Sequence, residues 1–106
     1  MKLLTTYDKE NNTIFQNFGN TKYFKVYGIE NGQVQYSEIV GTMGKKENEL
    51  MDILLFLETD VLICGNIGEH FVKDLINEGI ILYSNYCGNT DIAVEQFLKG
   101  ELLSDN

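Results

Sequence analysis

The sequence predicts an α/β protein built on one mixed five-stranded sheet, and three observations lead to this fold class. Two strand-like stretches, Tyr23–Ile29 and Val34–Val40, flank Asn31-Gly32. Asn-Gly is the strongest short signal for a β-hairpin, because a type I′ turn needs positive φ at both central residues. In the second half, short apolar runs alternate with helical patterns, which favours parallel strands covered by helices. The turn Gly65–Gly68 joins one such strand directly to a helix.

Composition limits both the size of the protein and the class of its partners. The chain has 106 residues, 43% of them hydrophobic, which is enough for a single domain over 1–106 with one modest core. A net charge of −8 argues against nucleic-acid binding, which usually needs a basic surface. We expect no membrane span and no signal peptide, because no apolar run is long enough. Two cysteines without metal or redox spacing are expected to be reduced thiols of a cytoplasmic protein.

The first half of the chain is expected to supply three of the five strands. Lys2–Tyr7 forms the first strand, and Asp8–Asn12 is a polar turn. Gln16–Thr21 is neither periodic nor charged and keeps one aromatic residue beside a glycine, so we interpret it as an ordered loop. Tyr23–Ile29 and Val34–Val40 are the two strands of the hairpin.

A first helix is predicted over Glu47–Leu57. Glu47 and Glu49 would lie in its first turn, where the helix dipole favours acidic side chains. Apolar residues recur at helical spacing, and Leu55 and Phe56 widen the apolar stripe. The sequence therefore predicts a mostly buried helix.

Two strand–helix units complete the chain. The strand Val61–Cys64 leads into a helix whose first residues follow the glycine turn, and Asn66 with Glu69 three residues later resembles a capping box. A second strand, Ile80–Tyr83, precedes a helix over Thr90–Lys99. The last six residues, 101–106, are expected to fray.

Four segments of the chain, taken together in their order and spacing, match one family pattern. They are Phe18-Gly19 with Tyr23–Tyr27, Asp60–Gly68, Leu75 with Gly79-Ile80, and Gly88 with Ala93, Phe97, Leu98 and Gly100–Leu102. With these segments the chain resembles the nitrogenase iron–molybdenum cofactor accessory proteins. The resemblance implies a ribonuclease H-like motif, a three-layer α/β/α arrangement with a five-stranded mixed sheet. It also implies a carrier or binding function, not an enzymatic one, with an iron–sulfur or iron–molybdenum-type cluster as ligand and a protein partner in cluster assembly.

The chain departs from the family pattern at three places where histidine is common. Asn17 precedes the Phe-Gly pair, Asn20 follows it, and the loop Gly41–Lys46 after the hairpin contains no histidine. Imidazole is a good ligand for iron, whereas a neutral carboxamide is a poor one. A second hypothesis is therefore a ligand-free interaction or regulatory module that has lost the family's histidines.

Three side chains are candidate metal ligands. Cys64 ends a central strand and Cys87 lies in the turn before the last helix, so parallel strands would place both thiols at one edge of the sheet. The alternative is that Cys64 is a small core residue and Cys87 an ordinary loop residue, since free cysteine is often buried. His70, the single histidine, could ligate a metal near the glycine turn, or it could be an exposed polar residue of the helix.

Backbone groups supply the remaining candidates. Gly65, Asn66 and Gly68 could hold an anion on free N–H groups of the helix, or could simply form a tight strand-to-helix turn. The loops that carry Asn17, Gly19, Asn20 and Gly88 are expected at the same sheet edge, where ligands of open α/β sheets bind. An enzyme is the third hypothesis, and the missing set of converging carboxylates argues against it.

Overall fold

A computed structural model describes residues 1–46 and 48–106, and it contains five strands and three helices in that part of the chain. Each helix there has nine residues, and none is long and apolar enough to span a membrane. The strands are β1 (Lys2–Tyr7), β2 (Tyr23–Glu30), β3 (Gln33–Gly41), β4 (Val61–Ile63) and β5 (Ile81–Tyr83), and the helices are α1 (Asn48–Phe56), α2 (Glu69–Asn77) and α3 (Thr90–Leu98).

The five strands form one mixed sheet in the order β3-β2-β1-β4-β5. β2 runs antiparallel to β1 and β3, whereas β4 runs parallel to β1 and β5. Leu4 at the centre of the sheet stands opposite Val26 on one side and Leu62 on the other. The predicted α/β class with a five-stranded mixed sheet is confirmed.

The β2–β3 hairpin turns where the sequence predicts. Asn31 and Gly32 have φ values of 53° and 73°, the positive pair that a type I′ turn requires. A register shift lies between Gly28 and Ile29. At Gly28 the ring of Tyr36 occupies the space of a side chain, because a Cβ there would lie 2.0 Å from a ring carbon.

Helices cover both faces of the sheet, so the protein has three layers. α1 and α2 pack on one face, and α3 packs on the other. The first core contains Leu4, Phe18, Phe24, Val26, Leu50, Leu54, Leu62, Cys64, Phe71, Leu75, Ile80 and Leu82. The second contains Leu3, Ile14, Tyr27, Ile29, Val61, Ile63, Ala93 and Val94.

The expectation of a mostly buried first helix is wrong on one face. Leu50 and Leu54 are fully buried, but Leu55 is 40% exposed and Phe56 is 85% exposed. Met51, Ile53 and Leu57 are partly buried and pack against the same core, so the exposed apolar side chains of α1 are those of Leu55 and Phe56. The predicted first-turn residue Glu47 lies outside the described residues.

The predicted Asn66 cap is also wrong. α2 begins after Gly68, which has extended φ and ψ and makes no side-chain cap bond. Asn66 lies two residues before this N-cap, too early to cap the helix. Its backbone N–H donates to the Gln16 carbonyl, and its carbonyl accepts from the Phe18 N–H. The turn is therefore held by its backbone.

The C-terminal residues are ordered along β5, which corrects the expectation that they fray. The Asp105 N–H donates to the Leu82 carbonyl at 2.7 Å, and the Leu82 N–H donates to Asn106 Oδ1 at 2.8 Å. Ser84 Oγ donates to Asp105 Oδ2 at 2.6 Å. An uncovered strand edge leaves N–H and carbonyl groups unpaired, and these tail residues supply the partners for β5.

Candidate functional site

One long loop crosses the edge where the parallel strands end. Residues 8–22 connect β1 to β2 and pass over the ends of β4 and β5. The Asn66 N–H donates to the Gln16 carbonyl at 2.6 Å, and the Phe18 N–H donates to the Asn66 carbonyl at 2.9 Å. On the other side, the Ile14 N–H donates to the Gly88 carbonyl at 2.8 Å. The loop therefore occupies the crevice in which an open α/β sheet would bind a ligand.

Gly65 makes this crossing sterically feasible. It is buried, and a Cβ at this position would lie 2.5 Å from the Gln16 carbonyl oxygen and 2.6 Å from the Gln16 Cα. Real side chains do not tolerate such distances to backbone atoms. Close backbone approach is what the glycine was predicted to permit, and here the approaching backbone belongs to the chain itself.

Phe18 anchors the loop from below. It is 1% exposed, and its ring centroid lies 6.3 Å from that of Phe24 and 5.7 Å from that of Phe71. Its neighbours Asn17 and Asn20 are exposed. The Asn17 side chain accepts a hydrogen bond from the Gly19 N–H at 3.1 Å, which fixes the turn over Phe18–Asn20.

The anchored loop and the glycine turn form the walls of one cleft of about 340 Å³. We call it the loop cleft. It brings together five of the ten residues that the sequence predicts for a site, and its lining is Asn17, Phe18, Gly19, Asn66, Ile67, Gly68, His70 and Phe71. A second depression shares Asn17 and Gly19 and adds Asn20, Lys46, Asn48 and Glu49.

His70 is the imidazole available to the loop cleft. It is exposed in the first turn of α2, and its ring centroid lies 4.1 Å from that of Phe71. A Cβ on Gly68 would meet the His70 ring at 3.1 Å, so the glycine and the ring are close neighbours. The structure thus places His70 beside Gly68, in the lining of the same cleft as Asn17.

Cys64 lies beneath the glycine turn and not in the cleft lining. Its side chain is fully buried in the core under α1 and α2. Burial, with a smaller contribution from the Asp105 carboxylate, raises the pKa of the Cys64 thiol to about 12. The thiolate is the form that binds metals, and at neutral pH this side chain remains a neutral thiol.

Cys87 and Gly88 belong to the turn before α3. Cys87 is exposed, and Gly88 adopts a φ of 95°, which an L-residue rarely takes. Neither residue lines the loop cleft. Within residues 1–46 and 48–106, no group of three histidine, cysteine, aspartate or glutamate side chains is placed to hold a metal ion.

Lys46 and Asn48 are site residues that the sequence did not single out. The Lys46 carbonyl accepts the Glu49 N–H at 3.1 Å, so Lys46 stands at the start of α1. The N-termini of α1 and α2 and the Lys46 ammonium favour an anion, and Glu49 and Glu69 oppose it. The Lys45-Lys46 pair was visible in the sequence, but only the fold places it beside the Asn17 loop.

Known structures share this fold. The crystal structure of PH0822 superposes with a TM-score of 0.89 at 20% identity and covers 99% of this chain and 95% of its own. MJ0327 from Methanocaldococcus jannaschii, provisionally described as a dinitrogenase, gives 0.79 at 22% identity, with 98% and 93% covered. The apo orange protein from Desulfovibrio gigas gives 0.81 at 19% identity, with 97% and 91% covered. At these identities the likeness concerns the fold.

The sequence itself carries the family signal. No curated protein matches it. The family model described as dinitrogenase iron-molybdenum cofactor matches residues 1–100, which include every strand and helix and the whole loop cleft. The chain therefore belongs to the dinitrogenase iron–molybdenum cofactor family.

Proposed function

We propose that this protein is a non-catalytic carrier, which binds an anionic metal cluster as cargo in the loop cleft. The observation that carries the proposal is the pair of backbone hydrogen bonds between Asn66 and the Gln16–Phe18 segment. These bonds hold the Asn17 loop against the glycine turn, so that Asn17 and His70 line one cleft. Family membership supports a cluster of the iron–sulfur or iron–molybdenum type and a partner protein in cluster assembly.

The donor groups of the cleft suit a cluster better than a single metal ion. A mononuclear site needs three or four protein ligands, and here the cleft offers one imidazole among carboxamides and glycine N–H groups. A cluster brings its own sulfide ligands, so the protein can hold it by one ligand and several hydrogen bonds. In this proposal His70 is the ligand, and Asn17 and Asn66 contact the cargo through their amides. Asn20 lies in the adjoining depression that shares Asn17 and Gly19.

The surroundings of the carboxylates support a binding role over an enzymatic one. Asp8 is engaged in its own turn, where its carboxylate accepts the Asn11 side chain at 2.9 Å and the Glu10 N–H at 3.1 Å. Asp60 accepts the Lys2 N–H at 2.8 Å at the start of β4, the opposite end from Asp8. Metal-assisted hydrolysis would need such carboxylates to converge.

Anaerobic reconstitution with iron and sulfide tests the proposal. The expected product is a coloured protein with charge-transfer absorbance and a near-integer iron content after desalting. His70→Asn should lose most of the bound iron, whereas Lys73→Ala, a change of an exposed residue on the same helix, should not. Cys87→Ser is expected to retain the cluster, because Cys87 lies outside the cleft. A cluster that survives His70→Asn but not Cys87→Ser would move the site to the turn before α3.

A ligand-free interaction module is the second candidate. It is favoured by the carboxamides at Asn17 and Asn20, where the family resemblance leads one to expect imidazoles. A colourless protein with no iron after the same reconstitution would select this function. The fold and the loop crossing would then survive as a scaffold for a partner protein in the cytoplasm.

A further inference from the structure

The two edge strands of the sheet, β5 and β3, differ in whether other residues of the chain pair with them. β5 is covered by Asp105 and Asn106, whereas β3 has no strand beyond it in the described part of the chain. β3 is nine residues long and exposed along its whole length, except at the half-buried Val40. It carries one charge, Glu38, and neither lysine nor proline. Natural edge strands that are not used for pairing usually carry several charges, lysine or proline, or a bulge, and β3 has only the register shift opposite Gly28 and Ile29 near its start.

An apolar groove adjoins the end of this open edge. Val40, Ile53 and Leu57 lie at its base, and Met43 and Phe56 flank it with exposed fractions of 89% and 85%. The groove has a volume of about 360 Å³. We call it the edge groove. Side chains this large and this exposed, on either side of one depression, are typical of interaction surfaces.

The turn that displays Met43 is itself unusual. The Lys45 N–H donates to the Thr42 carbonyl at 3.1 Å, which closes a four-residue turn. Both central residues, Met43 and Gly44, have positive φ, at 58° and 74°. Methionine is uncommon in this conformation, so the chain holds an apolar side chain outward at some conformational cost.

Charge identifies the class of occupant. Glu49 and Asp52 on α1 line the edge groove, together with Lys45. The chain as a whole has a net charge of −8. A second copy would bring the same acidic side chains and the same net charge to the interface, and the two would repel each other. A basic segment would complement them.

We propose that β3 and the edge groove bind an extended, basic segment of a partner protein. The segment adds a sixth strand beside β3 and exchanges backbone hydrogen bonds with it. Side chains of neighbouring strands keep their faces, so a residue paired near Val40 points toward α1. An aromatic or large aliphatic side chain there enters the edge groove between Met43 and Phe56. Lysine or arginine residues next to this anchor reach Glu49 and Asp52.

Binding of a labelled peptide tests the proposal on the intact chain. The probe is a synthetic peptide of nine residues, the length of β3, in which lysine alternates with valine and phenylalanine. A matched peptide has glutamate in place of lysine. Fluorescence anisotropy should show binding of the lysine peptide at a Kd below about 1 mM, and at least about tenfold weaker binding of the glutamate peptide. Amide NMR shifts should locate the lysine peptide on β3.

Matched variants separate the edge groove from other exposed apolar residues. Phe56→Ser should weaken binding by about tenfold or more. Leu103→Ser removes a side chain that is 83% exposed elsewhere and should leave binding unchanged. Glu49→Gln with Asp52→Asn should reduce both the affinity and its dependence on salt. Asp74→Asn on α2 with Glu78→Gln, directly after that helix, should alter neither.

Four results would overturn the proposal. One is the absence of binding, and another is equal binding of the two peptides. The third is self-association in sedimentation velocity that Phe56→Ser abolishes, because the occupant would then be a second copy. Amide shifts confined to the loop cleft would likewise contradict it, while leaving the carrier proposal standing.

Discussion

At the scale of single residues, the site depends on a glycine, Gly65, at a position where no side chain would fit. Gly65 lets the Gln16 backbone lie directly against the turn after β4, where Asn66 bonds to the Gln16 carbonyl and the Phe18 N–H, so the loop wall of the cleft depends on that contact. Cys64, its neighbour in sequence, shows the opposite case, because its side chain is enclosed by the core. Two adjacent positions thus serve the site through packing, and neither needs to touch a ligand.

Gly65→Ala should therefore destabilise the protein and disturb the cleft together. A methyl group 2.5 Å from a backbone oxygen forces the loop outward, at an expected cost of at least about 2 kcal/mol in the free energy of unfolding. Urea denaturation measures the cost, and amide shifts of residues 16–20 report the displacement. Gly41→Ala is the control, since a Cβ there meets nothing closer than 3.9 Å. Equal stability of the two variants would contradict this account of Gly65.

At the scale of elements, polar side chains decide how helices and tails attach to the sheet. The Tyr27 hydroxyl on β2 donates to Asp91 at 2.6 Å, and the Lys25 ammonium lies 3.0 Å from the same carboxylate. These bonds fix the start of α3 against β2. The hydrogen bond from Tyr27, with a smaller contribution from Lys25, lowers the pKa of Asp91 below its ordinary value of 3.8.

The lowered pKa of Asp91 determines how the stability of the protein changes with pH. A carboxyl whose pKa is lowered in the folded state adds stability above its unfolded pKa, and this stability is lost as pH falls through the folded pKa. Asp91→Asn should cost about 1 kcal/mol at neutral pH, a modest value because the Asp91 side chain is 59% exposed. Below a pH of about 4 the difference from the natural protein should shrink. Denaturation at several pH values measures this, with Glu95→Gln on the same helix as control. A difference that grows on acidification would contradict the assignment.

At the scale of the whole molecule, charge opposes compaction. Sixteen acidic side chains against eight basic ones give the net charge of −8, and the described residues contain one ion pair, Lys25–Asp91. The other charged groups lie mostly at the surface, where their mutual repulsion is long-ranged at low salt. The free energy of unfolding should therefore depend more strongly on ionic strength than that of a neutral domain of this size.

We expect sodium chloride to stabilise the protein. Raising it from about 0.02 M to about 0.3 M shortens the Debye length from roughly 20 Å to below 8 Å and should raise the free energy of unfolding by up to about 1 kcal/mol. Urea denaturation at both concentrations measures the effect. Glu95→Lys makes the net charge less negative and should show a smaller increase. A decrease in stability with salt would mean that specific ion pairs outweigh the general repulsion.

The sequence by itself determined the strands, the helices and the family, because all of them follow from local sequence patterns. The Asn31-Gly32 turn, the strand–helix alternation and the glycine turn each depend on residues that are neighbours in the chain. The predicted site loops also converge in part, since parallel strands end at the same edge of a sheet. These signals were sufficient for the mixed α/β sheet and for most of the loop-cleft residues.

Only the tertiary structure decided the path of the long loop, the pairing of the C-terminal tail and the burial of individual side chains. The crossing of residues 8–22 over the sheet edge separates His70 from Cys87, and no periodicity encodes such a path. The tail that covers β5 and the exposure of Phe56 are equally non-local, because each depends on which edge or face another segment happens to cover. Burial and pairing are properties of the assembled chain, and they turned two thiols with the same predicted role into one core residue and one surface residue.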